Sequence, residues 1–63
     1  MAHGAFREGQ RVQVKDTAND RLREGTVISV NGNTVEVFVD RFQRVFVFVR
    51  GETNLGRFTL EGW

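Results

Sequence analysis

Residues Thr34 to Arg50 read TVEVFVDRFQRVFVFVR, two runs of strict apolar alternation on either side of a short polar break. A period of two sends successive side chains to opposite faces of an extended chain, so each run is a β-strand and the break is the turn of a hairpin. Valines occupy one face of each strand, while Phe38, Phe46 and Phe48 occupy the other. The pattern fixes an all-β fold, and because both faces are apolar, one of them needs a use beyond the core of a soluble monomer.

Working outward, Asn31-Gly32 is the strongest short hairpin signal, and it joins a strand over Gly25 to Val30 to the one that returns over Thr34 to Val39. Gln10 to Lys15 alternates with Val12 and Val14 inward, as a half-buried strand does. Asp16 to Glu24 is polar apart from Leu22, which predicts a long loop pinned to the core by that leucine. Asp40 to Arg44 is a turn with Phe42 at its tip, Val45 to Arg50 is the fourth strand, and Gly51 to Gly56 is a loop before a short strand over Arg57 to Leu60. The expectation is a single domain over residues 1–63, a small five-stranded antiparallel barrel, with residues 1–8 as a lead-in and Phe6 anchoring its start.

At 63 residues the chain is near the lower size limit for folding without disulfides or metal, and it has no cysteine to supply either a disulfide or a thiolate site. Modest stability and a cytoplasmic location are the expectations, with no membrane partner, because no apolar run approaches bilayer-spanning or signal-peptide length. The net charge is +1, too small to draw the whole molecule to polyanions. Eight of the nine basic residues are nonetheless arginine, the side chain suited to bidentate carboxylate or phosphate contacts, although GC-rich coding produces the same bias.

Gly9-Gln10-Arg11-Val12-Gln13-Val14, then Gly25-Thr26-Val27-Ile28-Ser29-Val30 and Val35-Glu36-Val37, resemble the SH3-like barrels, especially their Tudor and KOW branches. In those families a G-x-x-V-x-V segment precedes a G-x-V-x-x-V strand, with glycine where the chain bends. The ending Gly56-Arg57-Phe58-Thr59-Leu60-Glu61-Gly62 is similar to the close of small uncharacterised bacteriophage proteins built on the same barrel. The resemblance implies an SH3-like barrel acting as a binding module. It departs from RNA-gripping KOW domains in having Lys15 as its only lysine. A methyl-reading Tudor cage is not implied either, since there is no tyrosine and the one tryptophan is Trp63.

The candidate partner-binding residues form two groups. Phe38, Phe42, Phe46 and Phe48 with Arg41, Arg44 and Arg50 would stack bases and hold phosphate if the hairpin bound single-stranded nucleic acid. The same rings would instead form a homo-oligomer or partner interface, or be the core itself. Arg21 and Arg23, in the mixed-charge stretch with Asp16, Asp20 and Glu24, lie where SH3-like folds line a ligand groove. That stretch lacks the glycine and glutamate positions of a calcium loop. His3 and Ser29 are the only histidine and serine, with no catalytic set around them, so neither enzymatic activity nor a cofactor or metal is expected. Trp63 either caps the barrel or serves as a free anchor for a partner. The function expected is a protein-interaction module, in the manner of a phage-derived modulator or inhibitor of a host protein, with nucleic-acid binding as the alternative.

Overall fold

The computed structural model describes residues 6–63, so His3 lies outside the described residues. Five strands, β1 Arg11–Asp16, β2 Arg21–Asn31, β3 Thr34–Val39, β4 Arg44–Val49 and β5 Phe58–Leu60, pair antiparallel in the order β4-β3-β2-β1-β5. No helix occurs among the described residues, and the sheet curls into a half-barrel compatible with a small SH3-like barrel. The tight hairpin forms one residue later than expected, at Gly32-Asn33, because Asn31 already pairs with Thr34; Gly32, first of the two turn residues, has φ 64°, where a side chain is disfavoured.

The stretch from Asp16 to Glu24 is not a long loop. Only Thr17 to Asp20 turns, and β2 then runs for eleven residues, with Arg21 to Glu24 paired against Gln13 to Asp16. The strand escapes a hydrophobicity reading because its polarity is inverted. Arg21 and Arg23 share the inner register with Gly25 and Val27, whereas Leu22 lies outward opposite Lys15 and is 54% exposed, so it does not pin anything to the core. Arginine is tolerated on the inner side at a barrel end because its stem packs while its head reaches water.

The second correction concerns the hairpin. The turn Asp40 to Gln43 has four residues, so an odd-numbered residue always faces an even-numbered one: Val39 pairs with Arg44, Val37 with Phe46, and Val35 with Phe48. The valines of β3 and the phenylalanines of β4 therefore share the inner face, while Phe38 lies outward beside Val45. The rings of Phe38, Phe46 and Phe48 never form one surface.

The core is Val12, Val14, Val27, Val35, Val37, Val39, Phe48, Phe58 and Leu60. The two free edges of the sheet are drawn together by rings and by one amide. Phe46 of β4 meets Phe58 of β5 edge-on at 4.9 Å. Asn54 exchanges backbone hydrogen bonds with Phe58 (2.8 and 3.0 Å), and its side-chain Nδ2 donates to the Val47 carbonyl of β4 at 2.8 Å. One residue thus clasps β5 to β4. At the far end Phe6 and Trp63 meet edge-on at 5.8 Å and pack against the core, which places Trp63 as a partial cap.

Candidate functional site

Antiparallel topology collects three connections at one end of the half-barrel: the β1–β2 turn, the β3–β4 turn and the segment leading into β5. Phe42, at the tip of the β3–β4 turn, folds back over the core there. Its ring lies 5.7 Å from those of both Phe46 and Phe58, and the Arg23 guanidinium sits over it at 5.7 Å. Arg21, Arg41 and Arg44 are exposed at the same end. Arg50 is separate from all of these, at the opposite end, with its guanidinium 5.7 Å from the Trp63 ring.

The nine residues singled out from sequence accordingly disperse. Phe48 is core, with 2% of its surface exposed. Phe42 and Phe46 are half-buried in the ring stack, Arg23 lies over Phe42, Arg21, Arg41 and Arg44 are exposed, Arg50 stands apart, and Phe38 belongs to the outward face.

That outward face carries residues that the sequence pattern alone did not single out. Val45 and Val47 are 46% and 43% exposed on β4, and Phe38 is half-buried beside Val45. Ile28, the residue skipped where the β2–β3 register shifts, is 43% exposed. A cleft runs along the free edge of β4, lined by Arg44, Val45, Phe46, Val47, Asn54 and Leu55, the last being 85% exposed. A polar border closes the face on the β1 side. There Arg11 donates to Thr26 Oγ1 at 2.8 Å, and to Glu24 Oε1 and Asp40 Oδ2 at 2.9 Å each. These exposed ion pairs contribute little to stability, and because one guanidinium serves two carboxylates the border keeps an excess of negative charge. The parity of the turn is the signal that would have found the strip, since an even loop puts Phe46 and Phe48 on the face of the β3 valines and leaves Val45 and Val47 on the face of Phe38.

Among the described residues the one buried charged side chain is Asp16, which is structural. Its carboxylate accepts from Arg57 Nε and Nη2, each at 2.8 Å, from the Ala18 N–H at 3.1 Å and from Asn19 Nδ2 at 3.2 Å. The hydrogen bonds from Arg57 outweigh the opposing effect of burial and hold the carboxyl down from its ordinary 3.8 to about 2. A depressed carboxylate stabilises the fold fully above its unfolded pKa and loses that contribution as pH falls through the folded one. Thermal unfolding followed by circular dichroism is therefore expected to show a stability difference between the native chain and Asp16→Asn that is constant at neutral pH. It should shrink between pH 3.8 and about 2. A difference that stays constant across that window would contradict the assignment.

Among the described residues no group of histidine, cysteine, aspartate and glutamate is arranged to hold a metal ion, and no helix is long and apolar enough to cross a membrane. No family model, curated protein or solved structure matches the chain.

Proposed function

We propose that the chain is a non-enzymatic, cytoplasmic binding module of the SH3-like kind that docks a protein partner on the outward face and free edge of β4. The observation that carries this reading is the continuity of Val45, Val47 and Leu55 along one cleft, with Phe38 beside Val45 on the neighbouring strand. Exposed apolar patches framed by polar residues mark interaction sites, and a partner here meets the side chains of the strip, because the open-side carbonyls of Val47 and Val49 are already taken by Asn54 Nδ2 and the Glu52 N–H. The likeness of the closing Gly56 to Gly62 segment to phage proteins points to a bacterial host protein as the partner class. Single-stranded nucleic acid, the alternative, is less well supported, because Phe42, Phe46 and Phe48 are occupied by the core and by one another and leave no stacking platform.

The test is capture from a nuclease-treated bacterial lysate with three immobilised chains: native, Val47→Glu and Arg41→Gln, the last at an exposed turn position outside the cleft. A protein retained by the native and Arg41→Gln chains at high salt and lost with Val47→Glu supports the reading, since an apolar interface hardly responds to ionic strength. Val47 is exposed, so the charge leaves the fold standing, within roughly 0.5 kcal/mol. Retention that vanishes with nuclease or salt, or equal retention by all three chains, contradicts it.

A further inference from the structure

The Asn31-Gly32 peptide bond belongs neither to the core nor to the docking strand, yet its two residues carry chemistry of their own. Both are exposed, and the Asn31 side-chain amide makes no hydrogen bond among the described residues. The Gly32 N–H donates to nothing there either, because the ladder closes on Asn31 and Thr34 and leaves the two turn residues outside it. No atom lies within 4 Å of the position that a Cβ would take at Gly32. A free amide nitrogen, a free carboxamide carbon and open space therefore meet at one bond. Asparagine is among the thermolabile residues, and this is the setting in which its lability is least restrained.

The other three asparagines supply the contrast. Asn19 donates its amide to Asp16 Oδ2 at 3.2 Å, and Asn54 donates its own to the Val47 carbonyl at 2.8 Å. Asn33 precedes Thr34, which is laddered to Asn31 and whose branched Cβ crowds its own nitrogen.

We propose that Asn31 is a self-modification site, which reacts with water to give aspartate and isoaspartate while the chain stays folded. The Gly32 nitrogen attacks Asn31 Cγ and a new C–N bond forms. The Cγ–Nδ2 bond breaks, and Nδ2 leaves as ammonia with the proton that the Gly32 amide gives up. One water then opens the cyclic imide. Attack at Cγ gives aspartate, and attack at the Asn31 backbone carbonyl carbon gives isoaspartate, in which the main chain runs through Cβ and Cγ. Nothing is oxidised or reduced. Either product adds a ninth carboxylate side chain against nine basic residues, which takes the formal net charge from +1 to zero, where proteins associate most readily. Isoaspartate also lengthens the main chain beside the two-residue turn. The Asn33 carbonyl of that turn accepts from the Arg50 N–H at 2.8 Å, so the displacement reaches the end of β4. The reaction needs no partner and does not depend on the docking face.

The experiment incubates the full chain at mildly alkaline pH, in native buffer and in parallel in concentrated urea, and reads timed digests by mass spectrometry with fragmentation to assign each position. In native buffer Asn31 is expected to gain the amide-to-acid mass difference and to split into two products, while Asn19, Asn33 and Asn54 stay intact. The rate should rise with hydroxide, which deprotonates the attacking amide. Asn31→Gln, whose extra methylene disfavours the imide, should lose the reaction, and at this exposed position it leaves the fold standing. Reaction at Asn31 in urea alone, or no faster than at Asn33, would overturn the proposal. Aspartate as the single product would do so too, because it marks direct hydrolysis of the side chain instead of attack by Gly32.

Discussion

Phe48→Ala is expected to leave the chain without a cooperative unfolding transition at physiological temperature. Phe48 is the largest of the fully buried side chains, paired across the ladder with Val35 and stacked 6.2 Å from Phe46. Truncating a buried phenylalanine costs about 3–5 kcal/mol, the lost transfer energy plus the cavity it leaves. At about 0.05–0.15 kcal/mol per residue a chain of 63 residues has roughly 3–9 kcal/mol in total, so the loss takes from about a third to all of the stability. Phe38→Ala is the instructive comparison, because the same deletion on the outward, half-buried side should cost only about 1 kcal/mol. Urea unfolding monitored by circular dichroism measures both. Equal midpoints for the two variants would mean that the turn parity assigned to this hairpin is wrong.

Gly25→Ala is expected to be the next most damaging change, although it adds a single methyl. A Cβ at Gly25 would lie 2.6 Å from the Phe38 carbonyl oxygen and 2.7 Å from Val37 Cγ1. Gly25 is the point where β2 is flanked on both sides, by Val12 of β1 and Val39 of β3, so the obstructing carbonyl belongs to a strand that the ladder holds in place. Overpacking a well-fitted core costs about 1–3 kcal/mol, and here the upper end applies, because the obstacle is main chain rather than a side chain that can swing aside. Gly32→Ala provides the contrast: its φ of 64° strains any side chain, yet nothing lies within 4 Å of the added atom. The denaturation midpoint should fall further for Gly25→Ala than for Gly32→Ala, and the reverse order would show that the packing around Gly25 is looser than the distances imply.

Much of this fold is legible in the residues themselves. Alternation in Thr34 to Val39 and Val45 to Val49 and the short Phe58 to Leu60 run lead to the strands observed, and the Asn31-Gly32 signal marks the right hairpin one residue early. Where the reading fails, the cause is specific. Arg21 and Arg23 occupy inner positions, so a pattern that equates inward with apolar sees a loop where there is a strand. Alternation within each strand of the hairpin says nothing about which faces match across it. That is decided by the number of residues in the Asp40 to Gln43 turn, and it separates Phe38 from Phe46 and Phe48. The contacts that build the candidate sites are still further from view. Asp16 and Arg57 stand 41 positions apart, and neither composition nor spacing announces that they meet.

The Asn54 clasp has a bearing on how this protein ages in concentrated solution. Its amide occupies a backbone carbonyl on the open side of β4, while Glu52 N–H takes that of Val49. The strand beneath, Arg44-Val45-Phe46-Val47-Phe48-Val49, has one charge, no proline and six consecutive residues of high sheet propensity or apolar stem. Such a segment templates cross-β stacking when its edge is bare. The Asn54 side chain and the Glu52 N–H thus cover the acceptors from which fibre growth would start, and aggregation of this chain should track how often that cover opens rather than how often the whole domain unfolds.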